Sequence, residues 1–165
     1  MGSRSAASAK GTPATVALTA AGVPFALHAY RHDPASGSFG LEAAEALGVE
    51  PARVFKTLMI RLEPEEFALA LVPVDRQLDL KATAAALGVK RAALAEPAAV
   101  ERRSGYVLGG VSPFGQRRPH RLVADASVLA ASTVFVSGGR RGLEIEIAGP
   151  DLLAATDGTT AGLGG

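Results

Sequence analysis

The chain has 165 residues, 48% of them apolar, and a formal net charge of +1. This length suits one domain with a sizeable core, and this apolar share excludes an intrinsically disordered chain. No apolar run approaches the ~20 residues of a membrane-spanning helix, the small net charge argues against a protein that coats nucleic acid, and zero cysteine excludes disulfides and thiolate chemistry.

The chain is expected to form one domain between two irregular ends. Residues 1–11 are small and polar and lack the apolar segment of a signal peptide, so we expect a disordered tail and a cytoplasmic protein. The domain is expected to span 12–156, and residues 157–165 are expected to fray.

The first half of the chain alternates helix and strand signals. Thr12 and Pro13 form an N-cap and a first helical turn, and Gly22 ends that helix. The elements predicted next, in chain order, are a strand over 25–30, a loop over 31–39, a helix over 41–47, and a hairpin of strands 54–62 and 67–72.

The second half mixes short strands with short helices. Asp79 is a predicted N-cap, and residues 143–147 alternate apolar and acidic side chains with the period of a half-buried strand. The predicted helices are 80–87, 97–103, 126–130 and 150–155, and the predicted strands are 106–108, 122–124, 134–136 and 143–147.

No repeated strand–helix–strand rhythm runs through these elements. The pattern therefore predicts an α+β fold in the broad α/β class, with a mixed, mostly antiparallel, curled or barrel-like sheet surrounded by short helices.

Two glycine-rich segments, 104–115 and 136–142, have a similar build. In each, a short apolar run leads into paired glycines, which allow close approach of the backbone and can turn successive N–H groups toward an anion. We expect the two segments to face each other across one pocket.

Lys56 interrupts the apolar run of residues 54–60. An edge-strand lysine that points to water is the ordinary explanation, and composition alone favours it. A cation inside a pocket, close to an anionic or carbonyl substrate, is the functional alternative.

Other chemistries find weaker support in the sequence. Ser112 and Ser137 lie outside any nucleophile-elbow motif, and the spacing of His28, His32 and Asp33 is a weak metal pattern, so we predict neither a metal nor a cofactor. Two glycine-rich motifs bind phosphate groups between a strand and a helix, G-x-x-x-x-G-K-[ST] and G-x-G-x-x-G, and neither occurs in that context here. Arginine doublets flank both glycine-rich segments, where they would lead a polyanion to the pocket.

Several motifs together resemble the YbaK/EbsC family. They are Thr12-Pro13-Ala14, Tyr30-x-His32-Asp33-Pro34, Phe39-Gly40-x-Glu42-Ala43-Ala44, Val54-Phe55-Lys56-Thr57-Leu58, Gln77-Leu78-Asp79-Leu80-Lys81, Gly105-Tyr106-x-x-Gly109-Gly110-x-Ser112-Pro113-x-Gly115 and Val136-Ser137-Gly138-Gly139-Arg140-Arg141-Gly142-Leu143-Glu144-Ile145-Glu146. The resemblance covers about residues 12–155. It implies a free-standing Cys-tRNA(Pro)/Cys-tRNA(Cys) deacylase, related to the editing domain of prolyl-tRNA synthetase, with a YbaK-like fold.

The resemblance also implies the site residues. Lys56, with the backbone of Gly109 and Gly110, would be catalytic. The substrate-binding residues would be Tyr30, Phe39, Thr57, Ser112, Pro113, Ser137, Gly138 and Glu144. The family often has Asp at the position of Glu144, so the longer side chain leaves the role of that carboxyl group open.

The implied reaction uses the thiol of the substrate cysteine to attack its own ester carbonyl, with backbone N–H groups at Gly109 and Gly110 holding the oxyanion. Water attack on an alanyl or seryl ester, and a non-catalytic protein that binds tRNA ends, are the alternatives. The implied partners are the acceptor end of tRNA and prolyl-tRNA synthetase. Binding to DNA or to a membrane is not expected.

Overall fold

The computed structural model describes residues 11–164 as two small sheets wrapped by five α-helices. The helices are α1 (Pro13–Ala20), α2 (Phe39–Leu47), α3 (Leu80–Leu87), α4 (Pro97–Ser104) and α5 (Gly149–Thr156). The strands are β1 (Ala26–Ala29), β2 (Phe55–Leu62), β3 (Glu66–Pro73), β4 (Ala92–Leu94), β5 (Arg121–Asp125), β6 (Val134–Ser137), β7 (Leu143–Ile147) and β8 (Thr159–Ala161).

Capping residues explain where three of the helices begin and end, and of the N-caps Thr12 and Asp79 were predicted while Ser38 was not. The side chains of Thr12, Ser38 and Asp79 accept hydrogen bonds from the first turns of α1, α2 and α3. Gly48 and Gly88 end α2 and α3 in the left-handed conformation that glycine adopts without strain. These three helices were predicted within two residues at each end.

The sheet is mixed and mostly antiparallel, as predicted, but it is divided in two. Strands β1, β7 and β6 form an antiparallel sheet in that order, while the larger sheet has the order β4, β2, β3, β5, β8 with parallel pairing of β3 to β5 and β5 to β8. A single bridge between Val54 and Phe135 joins the two sheets. One hydrophobic core fills the space between them, with Leu71, Val136 and Ile145 fully buried.

The segment 106–108 was predicted as a strand, and this prediction was wrong. The segment forms turns, because the Gly110 N–H donates to the Val107 carbonyl at 2.9 Å and the Tyr106 hydroxyl donates to the Phe114 carbonyl. Strand β4 was not predicted. Its three residues give no measurable alternation, and pairing with β2 makes the strand.

The C-terminal residues differ from the expectation that 157–165 fray. Strand β8 pairs with β5, and Leu163 is fully buried. The N–H groups of Leu163 and Gly164 donate to the Asp125 carboxylate at 2.8 and 3.1 Å. The predicted tail over 1–11 lies outside the described residues except for Gly11. Among residues 11–164, no helix is both long enough and apolar enough to cross a bilayer.

Candidate active site

A cavity of about 360 Å³ opens along the outer edge of β2, a size suited to a small ligand. Four segments form its walls: the start of α2, the first half of β2, the loop before and after Gly109, and the facing ends of β6 and β7. The residues from these segments are Ser38, Phe39, Gly40, Val54–Met59, Leu108, Gly109, Val111, Ser137 and Glu144.

The edge of β2 explains why the cavity forms here. The bridge from Val54 to Phe135 covers one end of the edge, and the Ala95 N–H donates to the Met59 carbonyl at 2.9 Å toward the other end. Between these points, β2 has no second strand partner among the described residues, although it pairs with β3 along its whole length. The gap between the two sheets is therefore lined by strand backbone.

The hydrogen bonds of neighbouring residues show which way the backbone N–H and C=O groups of Thr57 point. The Val54 carbonyl bonds to Val74 on the β3 side, while the Met59 carbonyl bonds outward to Ala95. Because backbone groups alternate along a strand, the N–H and C=O of Thr57 point outward, into the cavity. Its hydroxyl is also buried and has no hydrogen-bond partner among residues 11–164.

Lys56 lines this cavity with a half-buried side chain. It forms no ion pair with any described residue. Each of the two interpretations of Lys56 is therefore partly correct. The lysine lies on a strand that is an edge at this point, and that edge faces the cavity. Lys56 is the only basic side chain among the described residues that line the cavity, so its ammonium group is available there to an anionic or carbonyl ligand.

Glu144 lines the opposite wall and is 7% exposed. Its Oε1 atom has no hydrogen-bond partner among the described residues, and burial raises the pKa of its carboxyl group to about 8. Near neutral pH the group is therefore mostly protonated and can donate a hydrogen bond. Burial, with the nearby carboxyl group of Glu144, also raises the pKa of Tyr30.

Phe39 is held at the cavity by Arg141, a residue that sequence reasoning did not assign to the site. The Arg141 guanidinium lies 4.9 Å from the centre of the Phe39 ring, and its Nε donates to the Leu108 carbonyl at 2.9 Å. Glu101 accepts a hydrogen bond from the Leu108 N–H at 3.4 Å. A Cβ at Gly109 would lie 2.9 Å from both Phe39 and Arg141, so only glycine fits between them.

The structure corrects the role expected for Gly110. Its N–H already donates to Val107, so it is not available to hold an oxyanion. A Cβ on Gly110 would lie 2.8 Å from the Cα of Arg140. The glycine thus allows the two glycine-rich segments to pack backbone against backbone, and the segments face each other as expected.

Six of the eleven predicted site residues line the cavity: Phe39, Lys56, Thr57, Gly109, Ser137 and Glu144. The other five are close in the chain but do not line it: Tyr30, Gly110, Ser112, Pro113 and Gly138.

Two of these five hold the loops together. Ser112 is fully buried and bonds to Phe114 within its own turn. The Gly138 carbonyl accepts a hydrogen bond from Thr12, and its N–H donates to Leu143.

The histidines do not meet in one site. His28 pairs with Glu146 at 2.9 Å, and His32 pairs with Glu42 at 2.8 Å. No group of three or more metal-ligating side chains occurs among residues 11–164. His120 contacts Arg103, and none of the described serines forms a hydrogen bond with a histidine.

Ser38 and Gly40 line the cavity but were not predicted as site residues. For Ser38 a local signal exists, since serine is a common N-cap and precedes a helix that begins with an aromatic residue. For Gly40 the reason is a tertiary contact, since any Cβ there would lie 2.2 Å from Val74.

Comparisons with known proteins find relatives of this chain in sequence and in fold. The family model described as the aminoacyl-tRNA editing domain matches residues 37–155. A protein of Enterococcus faecalis, EbsC, is 35% identical over 118 residues, which are 72% of each chain, and is named as a candidate Cys-tRNA(Pro)/Cys-tRNA(Cys) deacylase.

Two further relatives are similar over different extents. The Escherichia coli protein named multifunctional Ser/Thr-tRNA deacylase ProXp-y is 40% identical over 60 residues, 36% of each chain. A solved structure described as a candidate trans-editing enzyme for prolyl tRNA synthetase superposes with a TM-score of 0.81 and 27% identity, covering 98% of this chain and 99% of that one.

Proposed function

The chain belongs to the aminoacyl-tRNA editing domain family, and from this premise we propose that it is a trans-acting deacylase of cysteine misattached to tRNA(Pro). Aminoacyl-tRNA deacylation is the activity of the family. The amino acid, the tRNA, the residues below and a cytoplasmic location are our proposal.

The proposal rests on one observation: three polar side chains around one cavity have no ion-pair or hydrogen-bond partner among the described residues. Lys56 has no ion pair, while Thr57 Oγ1 and Glu144 Oε1 are buried with no hydrogen-bond partner among the described residues. Buried polar atoms in native proteins are nearly always satisfied by protein, water or ligand, so those two atoms are available to a ligand that enters the cavity. An aminoacyl ester offers a carbonyl, an amino group and ribose hydroxyls to these three side chains.

The proposed reaction needs no nucleophile from the protein. The substrate thiol attacks its own ester carbonyl, a C–S bond forms, the C–O bond to the ribose breaks, and the thiol proton ends on the released ribose hydroxyl. The product is a cyclic thiolactone that water then opens. Because an aminoacyl ester is already activated, positioning and charge stabilisation supply most of the acceleration.

Lys56 and the outward N–H of Thr57 are the proposed stabilising groups. The Thr57 N–H replaces Gly110 as the backbone donor to the oxyanion, and the Lys56 ammonium fixes the terminal ribose or phosphate. Ser137, Phe39 and Glu144 form the wall against which the aminoacyl side chain packs.

Substitution of the substrate tests the chemistry. We expect rapid ester loss from Cys-tRNA(Pro) and slow loss when the cysteine carries an S-methyl group, since methylation removes the nucleophile and keeps most of the shape. Equal rates for the two substrates would exclude thiol attack.

Substitution of Lys56 tests the site. We expect Lys56→Ala to lower kcat/KM by about 100-fold, because loss of the ammonium group that fixes the ribose or phosphate misplaces the ester relative to the Thr57 N–H. Lys81→Ala, at an exposed position on α3, is the matched control and should retain the parent rate. Full activity of Lys56→Ala would remove the site assignment.

Water attack on a seryl or threonyl ester is the second candidate, favoured by the name of the Escherichia coli relative. A neutral Glu144 could then hydrogen-bond a substrate hydroxyl. Comparison of Ser-tRNA, Thr-tRNA and Ala-tRNA as substrates separates these reactions. Selection of the tRNA is proposed to come from prolyl-tRNA synthetase, since the cavity is sized for the aminoacyl end alone.

A further inference from the structure

Two arginine doublets lie side by side next to the cavity. Arg102 and Arg103 lie in the last turn of α4, and Arg117 and Arg118 follow the first glycine-rich segment. The Arg117 N–H donates to the Ser104 carbonyl at 2.9 Å, and the Arg118 N–H donates to the Arg103 carbonyl at 3.2 Å. These backbone hydrogen bonds hold the two doublets next to each other, and we call the four arginines the arginine patch.

The arginine patch is not neutralised by ion pairs within the described part of the chain. None of its members forms an ion pair with residues 11–164, and Arg117 donates instead to the Arg102 carbonyl. Burial, then the charges of Arg118 and Arg102, lower the pKa of Arg103. Fixed like charges without counter-charges repel one another, and a polyanion would relieve that repulsion.

One member of the patch is anchored while the others face solvent. Arg103 lies 4.3 Å from the centre of the Phe67 ring and donates to His120. Arg102, Arg117 and Arg118 are exposed. Three solvent-facing guanidinium groups on a fixed backbone are well suited to bidentate contacts with phosphate oxygens.

The patch begins within one helical turn of a cavity-lining residue. Val100 lines the cavity and is three residues before Arg103, a rise of about 5 Å along α4. Glu101 lies in the same turn, and its carboxylate accepts a hydrogen bond from the N–H of the cavity-lining Leu108. A chain of phosphates whose end enters the cavity would therefore pass within reach of the patch.

We propose that the arginine patch binds the phosphate backbone of the tRNA acceptor arm and thereby delivers the aminoacyl end to the cavity. This inference rests on the proposed function, since it assumes an RNA-linked substrate. RNA is favoured over an acidic protein surface because the ester in the cavity is attached to RNA, so its phosphates must leave the cavity near its mouth.

The test reverses the three exposed charges in Arg102→Glu/Arg117→Glu/Arg118→Glu and keeps Arg103, which packs on Phe67. Lys81→Glu/Lys90→Glu/Arg91→Glu is the matched control, with the same change in net charge at exposed positions. Thermal unfolding of both variants checks that the fold is kept.

Two substrates separate binding from chemistry: Cys-tRNA(Pro), and an adenosine that carries the same cysteinyl ester without any phosphate. We expect the patch variant to raise KM for the tRNA about tenfold or more and to reduce the slope of log K against log salt by about 2–3, as three lost phosphate contacts require. Its rate on the adenosine ester should equal that of the parent.

Three results would overturn the inference. They are unchanged tRNA affinity, an equal loss in the control variant, and a matching loss on the adenosine ester. Unchanged tRNA affinity with lost binding to prolyl-tRNA synthetase would assign the patch to a protein instead. If the parent protein deacylates no aminoacyl-tRNA yet binds tRNA through the patch, the proposed function fails while the patch stands.

Discussion

Glu144 has a buried carboxyl group, and burial raises its pKa well above the ordinary value. A carboxyl group with a pKa of about 8 keeps its proton in the folded state at pH values where the unfolded chain, near 4.5, has lost it. The folded state thus binds more protons between these two values, and the free energy of unfolding must fall as pH rises through this interval.

Glu144→Gln should remove this dependence, because the amide is neutral at every pH and nearly isosteric. Above pH 8 the variant is expected to be more stable than the parent by roughly 3–5 kcal/mol, from about 1.4 kcal/mol per unit of pKa difference. Thermal unfolding measured from pH 4 to 9 checks this. Parallel curves for the two proteins would show that Glu144 is ionised in the folded state.

Substitution of Arg141 tests whether its contacts with Leu108 and Phe39 position the cavity wall. Arg141→Ala removes the charged hydrogen bond to Leu108 and the contact with the Phe39 ring, so kcat/KM for the aminoacyl ester should fall about tenfold, the equivalent of about 1.4 kcal/mol.

Arg140→Ala is the matched control for that variant, since Arg140 is exposed and its side chain makes no hydrogen bond with the described residues. The adenosine ester is the substrate of choice, because it reports the wall and not the RNA contacts. Equal activity of the two variants would show that Arg141 does not position the wall.

Helix α2 brings an aromatic ring to the cavity because glycine allows a close approach at the second residue. A Cβ on Gly40 would lie 2.2 Å from the Cγ1 atom and 2.8 Å from the Cβ atom of Val74. Valine is stiff, so the helix rather than the valine would have to move.

Gly40→Ala should therefore destabilise the protein by about 1–3 kcal/mol through overpacking, although alanine in a helix is otherwise favourable by about 0.5–1 kcal/mol. Loss of deacylase activity should accompany it, since Phe39 moves with α2. Gly37→Ala is the control, as nothing lies within 4 Å of a Cβ there. Denaturant unfolding and kcat/KM measure both effects, and a stabilised, active Gly40→Ala would contradict the packing argument.

The C-terminal strand β8 adds to the core from the end of the chain. Leu163 is fully buried, so Leu163→Ala should lower the free energy of unfolding by about 2–5 kcal/mol. Leu129→Ala, at a leucine that is 51% exposed, should change it little. Urea unfolding compares the two, and equal midpoints would mean that the end of the chain does not contribute to stability.

At the scale of the whole molecule, the two sheets share one core although a single bridge joins their strands. Leu71 of the larger sheet belongs to the same buried cluster as Val136 and Ile145 of the smaller one. Arg53, near that bridge, also donates to Thr133 and pairs with Glu146 at 3.6 Å.

We therefore expect unfolding to be one cooperative transition, since separation of the sheets would expose the core of each. Calorimetry should give equal calorimetric and van't Hoff enthalpies. Two resolved transitions would show that the sheets are independent units.

Much of this protein was determined by the sequence alone. Caps such as Thr12, Asp79 and Gly88 act within one helical turn, and the alternation of residues 143–147 lies within one strand, so these elements were predicted correctly. The family motifs also indicated Lys56, Thr57, Phe39 and Glu144 before any contact was known, because they are motifs of residue type and spacing.

Only the tertiary structure decided how these parts meet. The division of the sheet, the pairing of β8 with β5 and the outward edge of β2 depend on strand partners far away in the chain. The N–H of Gly110 was expected to bind an oxyanion, but it donates to the Val107 carbonyl. The sequence could not separate the two outcomes, because paired glycines are typical both of close backbone packing and of anion sites. The physical cause is that long-range pairing and burial choose among local conformations that sequence patterns leave equally open.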